Sequence, residues 1–245
     1  VGVMYYTALM PCIISSLIAT GFAAGIGIHP EVFHVTDIPK LGFVTGGKMG
    51  LIALACAGIS VIFCVLLKQT GKLFHKELKN HYVRVLAVSG VIILITLCLH
   101  TTDYMGAGIG IITRAIEEGE VNYFAFFWKM ILTVLTMKAG FKGGEIVPVF
   151  FIGAAYGSFF SGVFGTDTSF FAAVGMVAVF CGVTNCPLTS MLIGVESFGA
   201  KGLVFFGISC AVSYMLSGYR GLYSEQRIAY SKLKTKFINK KVGSE

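Results

Sequence analysis

Eight apolar runs divide the chain, at 3–28, 49–67, 83–99, 122–138, 146–164, 170–183, 186–198 and 202–217. A helix crossing the hydrocarbon core of a bilayer needs about 20 residues. The first run meets that length, and 49–67, 83–99 and 146–164 are marginal. The last three are too short to cross squarely. Short apolar helices broken by Gly, Asn and Pro leave backbone groups without partners, which lipid cannot supply. They are tolerated where they line a cavity, and near the midplane they mark the substrate site of many transporters. A soluble domain with the same runs would need a charged surface. Only 13% of the 245 residues are charged, against roughly 25% in soluble domains. Disordered, coiled-coil, collagenous and small disulfide-framework chains are excluded by the same composition. The fold class is therefore all-α, a polytopic membrane protein.

The net charge of +7 suggests nucleic-acid binding until its placement is read. Five bases fall in 68–84 (Lys68, Lys72, Lys76, Lys79, Arg84) and seven in 220–241. Both clusters flank apolar runs, which is the positive-inside pattern and places them in the cytoplasm. Segments 29–48 and 103–123 carry six acids and three bases, which suits the outer side. Aromatic residues are not interleaved with the bases of 220–241 as an RNA-binding arrangement requires. The apolar residues Ile228, Leu233, Phe237 and Ile238 recur about a turn apart. They predict a cytoplasmic surface helix with a basic tail over 220–245, after a transmembrane region at 1–219. Val1 runs directly into an apolar stretch and reads as a truncation point, with no charged-then-apolar leader.

The seven cysteines lie in or beside apolar runs and form no CxxC pair, so they read as small apolar residues. Gly21/Gly25, Gly106/Gly110 and Gly153/Gly157 have the spacing that lets membrane helices approach closely. Segment 29–48 reads as an extramembrane loop. His29, Glu31 and His34 within it could hold a metal, but a solvated loop is the preferred reading.

Three stretches carry chemistry. In Gly140–Gly157, two glycines and Glu145 precede Pro148 and an apolar helix. Proline suits the first helical turn, where its missing N–H costs nothing. That helix end presents free N–H groups and the positive end of the dipole. An anion is an effective partner for them inside a membrane. In Val183–Glu196, a polar break and Pro187 precede a short apolar helix ending in Glu196, for which a structural role is preferred to a proton relay. In Gly218–Ser231, Tyr219, Tyr223 and Tyr230 are candidate hydroxyl donors. A tyrosine O–H can donate to an anion without adding charge, whereas Tyr219 and Tyr230 also suit interfacial anchoring.

In this order, the three stretches resemble the CLC family of chloride channels and chloride/proton antiporters, of prokaryotic type. A family GGxFxP segment matches Gly143 to Pro148. A small residue followed by PLT and an apolar helix ending in Glu matches Cys186 through Glu196. A Leu-Tyr-Ser near the start of the last helix matches Leu222-Tyr223-Ser224. The resemblance covers nearly the whole chain but only the C-terminal half of a family member. It implies one of two inverted repeats that hold chloride between them. The serine-bearing loop, the gating-glutamate loop and the inner proton-transfer glutamate of the family would belong to the other half. No nucleotide-binding regulatory domain is expected after the short tail that ends at Glu245.

The resemblance further implies a voltage-gated or proton-coupled anion transporter in the cell membrane, multi-pass and homodimeric. The dimer interface would use 3–28 and its neighbouring run, with 186–198 and 202–217. The anion would be bound by Gly144, Glu145, Ile146 and Val147 through their backbone, and by the Tyr223 hydroxyl. No enzyme constellation, metal site, cofactor or nucleic-acid partner is expected. The chain departs from the family at Ile146, which replaces an aromatic, and at Glu145, an acid beside the anion, for which Lys142 is the nearest base in sequence. Chloride is the expected cargo. The alternatives are a fluoride exporter of the same fold and a non-transporting truncated membrane module.

Overall fold

The computed structural model describes residues 6–28, 32–35, 38–40, 42–119, 121–165 and 167–243. Among them run nine α-helices: α1 (Tyr6–Gly25), α2 (Phe43–Glu77), α3 (His81–Leu99), α4 (Ile109–Thr113), α5 (Ala125–Ala139), α6 (Ile146–Phe164), α7 (Thr168–Thr184), α8 (Pro187–Phe198) and α9 (Leu203–Leu216). A π-helical turn, Arg114–Glu118, follows α4, and a 3-10 turn, Ala200–Gly202, precedes α9. By length and composition α1, α2, α3 and α6 can each cross a membrane. The short apolar helices expected near 170–183, 186–198 and 202–217 are α7, α8 and α9.

The core is organised around α7. It is apolar on all sides, and every residue from Ser169 to Thr184 is buried, as expected for a helix without a polar face. α2, α6, α8 and α9 surround it. Small residues set the closest approach: Gly153 and Gly157 of α6 lie against the α7 backbone near Gly175 and Ala172. On the other side the Ser60 hydroxyl of α2 donates to Val179 O at 3.1 Å, and the Ser213 hydroxyl of α9 donates to Ala178 O at 2.7 Å. These bonds give α7 lateral hydrogen-bonded contacts that hydrophobic burial alone would not orient. The Asp167 carboxylate caps α7 by accepting from the Ser169 N–H at 3.0 Å.

Two segments differ from expectation. The loop expected at 29–48 ends early, because α2 begins at Phe43. The same helix continues through Lys68, Lys72 and Lys76 to Glu77, for 35 residues in all. At 1.5 Å per residue that is about 52 Å, well beyond the hydrocarbon core. Lys, Gln, Leu and Glu are good helix formers, so nothing stops the helix where its apolar run ends.

The helix expected over 220–241 is not formed. The segment makes a turn and then an antiparallel hairpin of β1 (Arg227–Tyr230) and β2 (Phe237–Lys241), with Arg227 opposite Lys241 and Tyr230 opposite Phe237. Burial along β2 alternates with period two, the strand period rather than the helical one. Asn239 is left-handed at φ 41°, which an α-helix does not accommodate. A lone two-stranded hairpin is marginal in water; here it is held by contacts to α7 and α9.

Of the cysteines, Cys56, Cys64, Cys181 and Cys210 are buried and Cys186 partly so, while Cys12 and Cys98 are exposed. α1 has no buried residue in its apolar window. Of the candidate loop metal ligands, His29 and Glu31 lie outside the described residues, and His34 is exposed.

Candidate functional site

The N-terminus of α6 is built as the sequence requires. Gly140 closes α5 in a left-handed conformation at φ 116°, which favours glycine. The chain then runs through Gly143 and Gly144 to Glu145, the N-cap, with φ −88° and ψ −18°. No side chain caps this end. The first helical bond is Val149 N–H to Glu145 O at 3.2 Å, and Pro148 has no N–H. The N–H groups of Ile146 and Val147 therefore find no acceptor among the described residues. Ile146 itself is 41% exposed. An uncapped apolar helix start with two free donors can neutralise an anion through peptide dipoles alone.

Glu145 is half-buried. Burial raises its carboxyl above the ordinary carboxylate range, and the nearby Lys138 ammonium opposes that rise. The base acting on it is Lys138, at the end of α5, and no ion pair forms with Lys142.

Tyr223 lies in the turn between α9 and β1, and is 45% exposed. Its hydroxyl has no hydrogen-bond partner among the described residues, and the structure records no contact between it and Gly144–Val147. The turn is fixed to the C-terminus of α7. Leu222 N–H donates to Val183 O at 3.0 Å, Asn185 Nδ2 to Arg220 O at 2.9 Å, and Gln226 Nε2 to Thr184 O at 3.1 Å. Tyr219 donates to Ser231 Oγ at 3.0 Å, and the Tyr230 ring packs on Phe237. These two tyrosines are therefore engaged in the hairpin. Glu196, at the end of α8, is exposed and belongs to neither group.

Two lysines have roles beyond their place in the charge count. Lys232, between the strands, donates to Asn185 Oδ1, to Tyr214 O at 2.9 Å and to Ser217 Oγ at 3.1 Å. It thereby caps the C-terminal ends of α7 and α9, where a cation suits the helix dipole. Its position in a basic tail gave no signal of this. Lys129, in the middle of α5, is 2% exposed. A lysine within the apolar run 122–138, well before the Lys138 that ends it, is a legible signal, because intramembrane charges are costly. Among the described residues no group of three or more potential ligands could hold a metal.

Against known proteins, the family described as voltage gated chloride channel matches residues 2–218. The chloride/fluoride channel protein of Pseudomonas syringae pv. tomato is 28% identical over 244 residues, covering 95% of this chain and 52% of that protein. The H(+)/Cl(-) exchange transporter ClcA of Vibrio cholerae is 23% identical over 205 residues, covering 77% of this chain and 43% of that protein. The crystal structure of a CLC-type fluoride/proton antiporter superposes with a TM-score of 0.85 at 26% identity, covering 89% of this chain and 55% of that one. The chain thus spans about half the length of the relatives it matches.

Proposed function

The chain belongs to the voltage gated chloride channel family, and from that premise we propose that it forms one side of a membrane pathway for a small monovalent anion. The observation that carries the reading is the uncapped start of α6, with the N–H groups of Ile146 and Val147 free. The backbone of Gly144 and Glu145 forms the approach to them, and the half-exposed Tyr223 hydroxyl, without a partner among the described residues, is a further ligand. The exposure of Ile146 and Tyr223 is what a half-site looks like before an opposing repeat closes over it. The unburied α1 and the exposed Leu188, Leu192 and Val204 on α8 and α9 offer the apolar face on which a second copy would seat.

Fluoride is the first reading for the cargo and chloride the second. Fluoride is supported by the names and the 26–28% identities of the Pseudomonas relative and the antiporter structure. Chloride is supported by the same Pseudomonas relative, whose name gives both ions, and by the 23% relative. Fluoride and chloride electrodes on the same liposomes, loaded with the native full-length protein, separate the two. Chloride flux without fluoride flux reverses the order, and no flux of either refutes transport. Tyr223→Phe should weaken binding of the transported ion by about 1–3 kcal/mol, the scale of one charge-assisted hydrogen bond. An unchanged calorimetric titration removes Tyr223 from the site.

A further inference from the structure

A cavity of about 580 Å³ lies between α3, α5 and α6. Its walls are mostly apolar, with Ile92, Leu132 and Val147 among them, and one end is formed by the Gly143–Gly144 turn that opens α6. Lys129 lines it. The ammonium donates to Tyr104 O at 3.1 Å and Gly106 O at 2.6 Å, and stands 5.0 Å from the centre of the Phe151 ring. No carboxylate pairs with it among the described residues. An ammonium has three donors; two are used, and the charge itself is balanced by no acid.

A buried, unneutralised charge is expensive. Holding two loop carbonyls does not require that expense, since a neutral amide donor serves the same purpose. One turn further along α5, Thr133 lines the same cavity. Residues four apart share a helix face. The Thr133 hydroxyl has no partner among the described residues, although its side chain is buried. A spare N–H, a spare hydroxyl and an uncancelled positive charge thus face one apolar chamber.

We propose that this chamber binds a monovalent inorganic anion at Lys129 and Thr133, as a second station beside the α6 N-terminus. The proposal depends on the reading above for the ion's destination, but not for its binding. One cation and one hydroxyl match a single small charge. A phosphate or sulfate would demand more donors than the walls provide. The chamber is far wider than any halide, so it does not select by size, and bromide is a fair probe whichever ion is carried.

The test is a crystal of the native full-length protein grown in sodium bromide, read by anomalous scattering. A bromide peak within hydrogen-bonding distance of Lys129 Nζ is expected, and it should vanish in Lys129→Met. Because that variant leaves two carbonyls unpaired, Thr133→Val provides a second arm that keeps the lysine and its bonds. Bromide affinity at this peak should fall roughly five- to tenfold, the scale of one lost hydrogen bond. No peak in the native protein, a peak that survives Lys129→Met, or elongated acyl density in its place overturns the proposal. A peak at Lys129 in a protein that carries neither fluoride nor chloride refutes the preceding reading and leaves this one. Sensitivity to Tyr223→Phe without a peak at Lys129 refutes this one alone.

Discussion

Replacing Gly153 by alanine tests the packing that positions the α6 N-terminus. A Cβ at Gly153 would lie 2.6 Å from Met176 Cα and 2.7 Å from Gly175 O, where ordinary contact begins at 3.4 Å. Both obstacles are α7 backbone, so neither can rotate away as a side chain would. The two helices must part by roughly 0.8 Å, and small-to-large changes in a packed interior cost about 1–3 kcal/mol. With backbone on both sides and Gly157 wedged one turn along against Phe171 O and Ala172, the upper end applies, about 3 kcal/mol. For a cooperative unit of this size that is a fall in melting temperature of about 6–12 °C. The assay is thermal unfolding of the purified protein in detergent, with Gly21→Ala and Gly25→Ala as controls. At both control positions a Cβ meets nothing within 4 Å, and alanine gains up to about 1 kcal/mol of helix propensity. If Gly153→Ala melts with the native protein, α6 and α7 are not in backbone contact and the placement of the site by α7 is wrong.

Two further outcomes follow from the charges. Burial lifts the Glu145 carboxyl, so it is neutral at a higher pH than an ordinary glutamate and charged above that point. Anion binding at the adjacent N–H groups should therefore strengthen as pH falls through the raised value. Glu145→Gln should bind more tightly near neutrality and lose that segment of the profile, as read by calorimetry; an unchanged profile places the carboxylate elsewhere. Burial also lowers Lys232 from 10.5 to about 8. Between those values the unfolded chain holds more protons than the folded one, so stability should rise as pH climbs through that window. Lys232→Met should flatten the rise and speed amide exchange in 227–241; a hairpin equally protected in the variant would show that the lysine does not hold it.

The helices were legible wherever a period or a breaker was present. Run 146–164 is α6 residue for residue, because Pro148 and the glycines before it mark its start. Pro187 does the same for α8, and Asn185, left-handed at φ 58°, ends α7. The failures came where composition was ambiguous. In 227–241 the apolar residues fit a helical spacing, but the segment's partners are not its own neighbours. Lys232 reaches Asn185 and Tyr214, Gln226 reaches Thr184, and Val242 N–H donates to Gln226 O at 2.8 Å. Tertiary bonds of that kind outweigh a weak periodicity. The extension of α2 past Lys68 was missed for the opposite reason, since the end of an apolar run marks where lipid stops and not where a helix does. At the candidate site the α6 backbone was readable from Gly143 to Pro148. The Lys138 influence on Glu145 was not, because it depends on how α5 turns back at Gly140.

The partners of the buried Lys129 and the half-buried Lys232 bear on what the fold can hold. The ion pairs recorded among the described residues, Lys76–Glu77, Arg114–Asp103 and Lys241–Glu225, all join well-exposed side chains and contribute little. Lys129 and Lys232 instead take backbone carbonyls, a hydroxyl and an amide oxygen. A carboxylate would satisfy either ammonium and cancel its charge together. Carbonyl and hydroxyl oxygens satisfy the hydrogen bonds and leave the charge standing. The free N–H groups at the start of α6 add a positive dipole end to which the Glu145 side chain makes no capping hydrogen bond. Helix ends and neutral oxygens therefore support a positive interior that remains hydrogen-bonded, and an anion is the species that lowers its energy most. A cation pathway through the same elements would need the reverse, with carbonyls turned inward and freed from lysine.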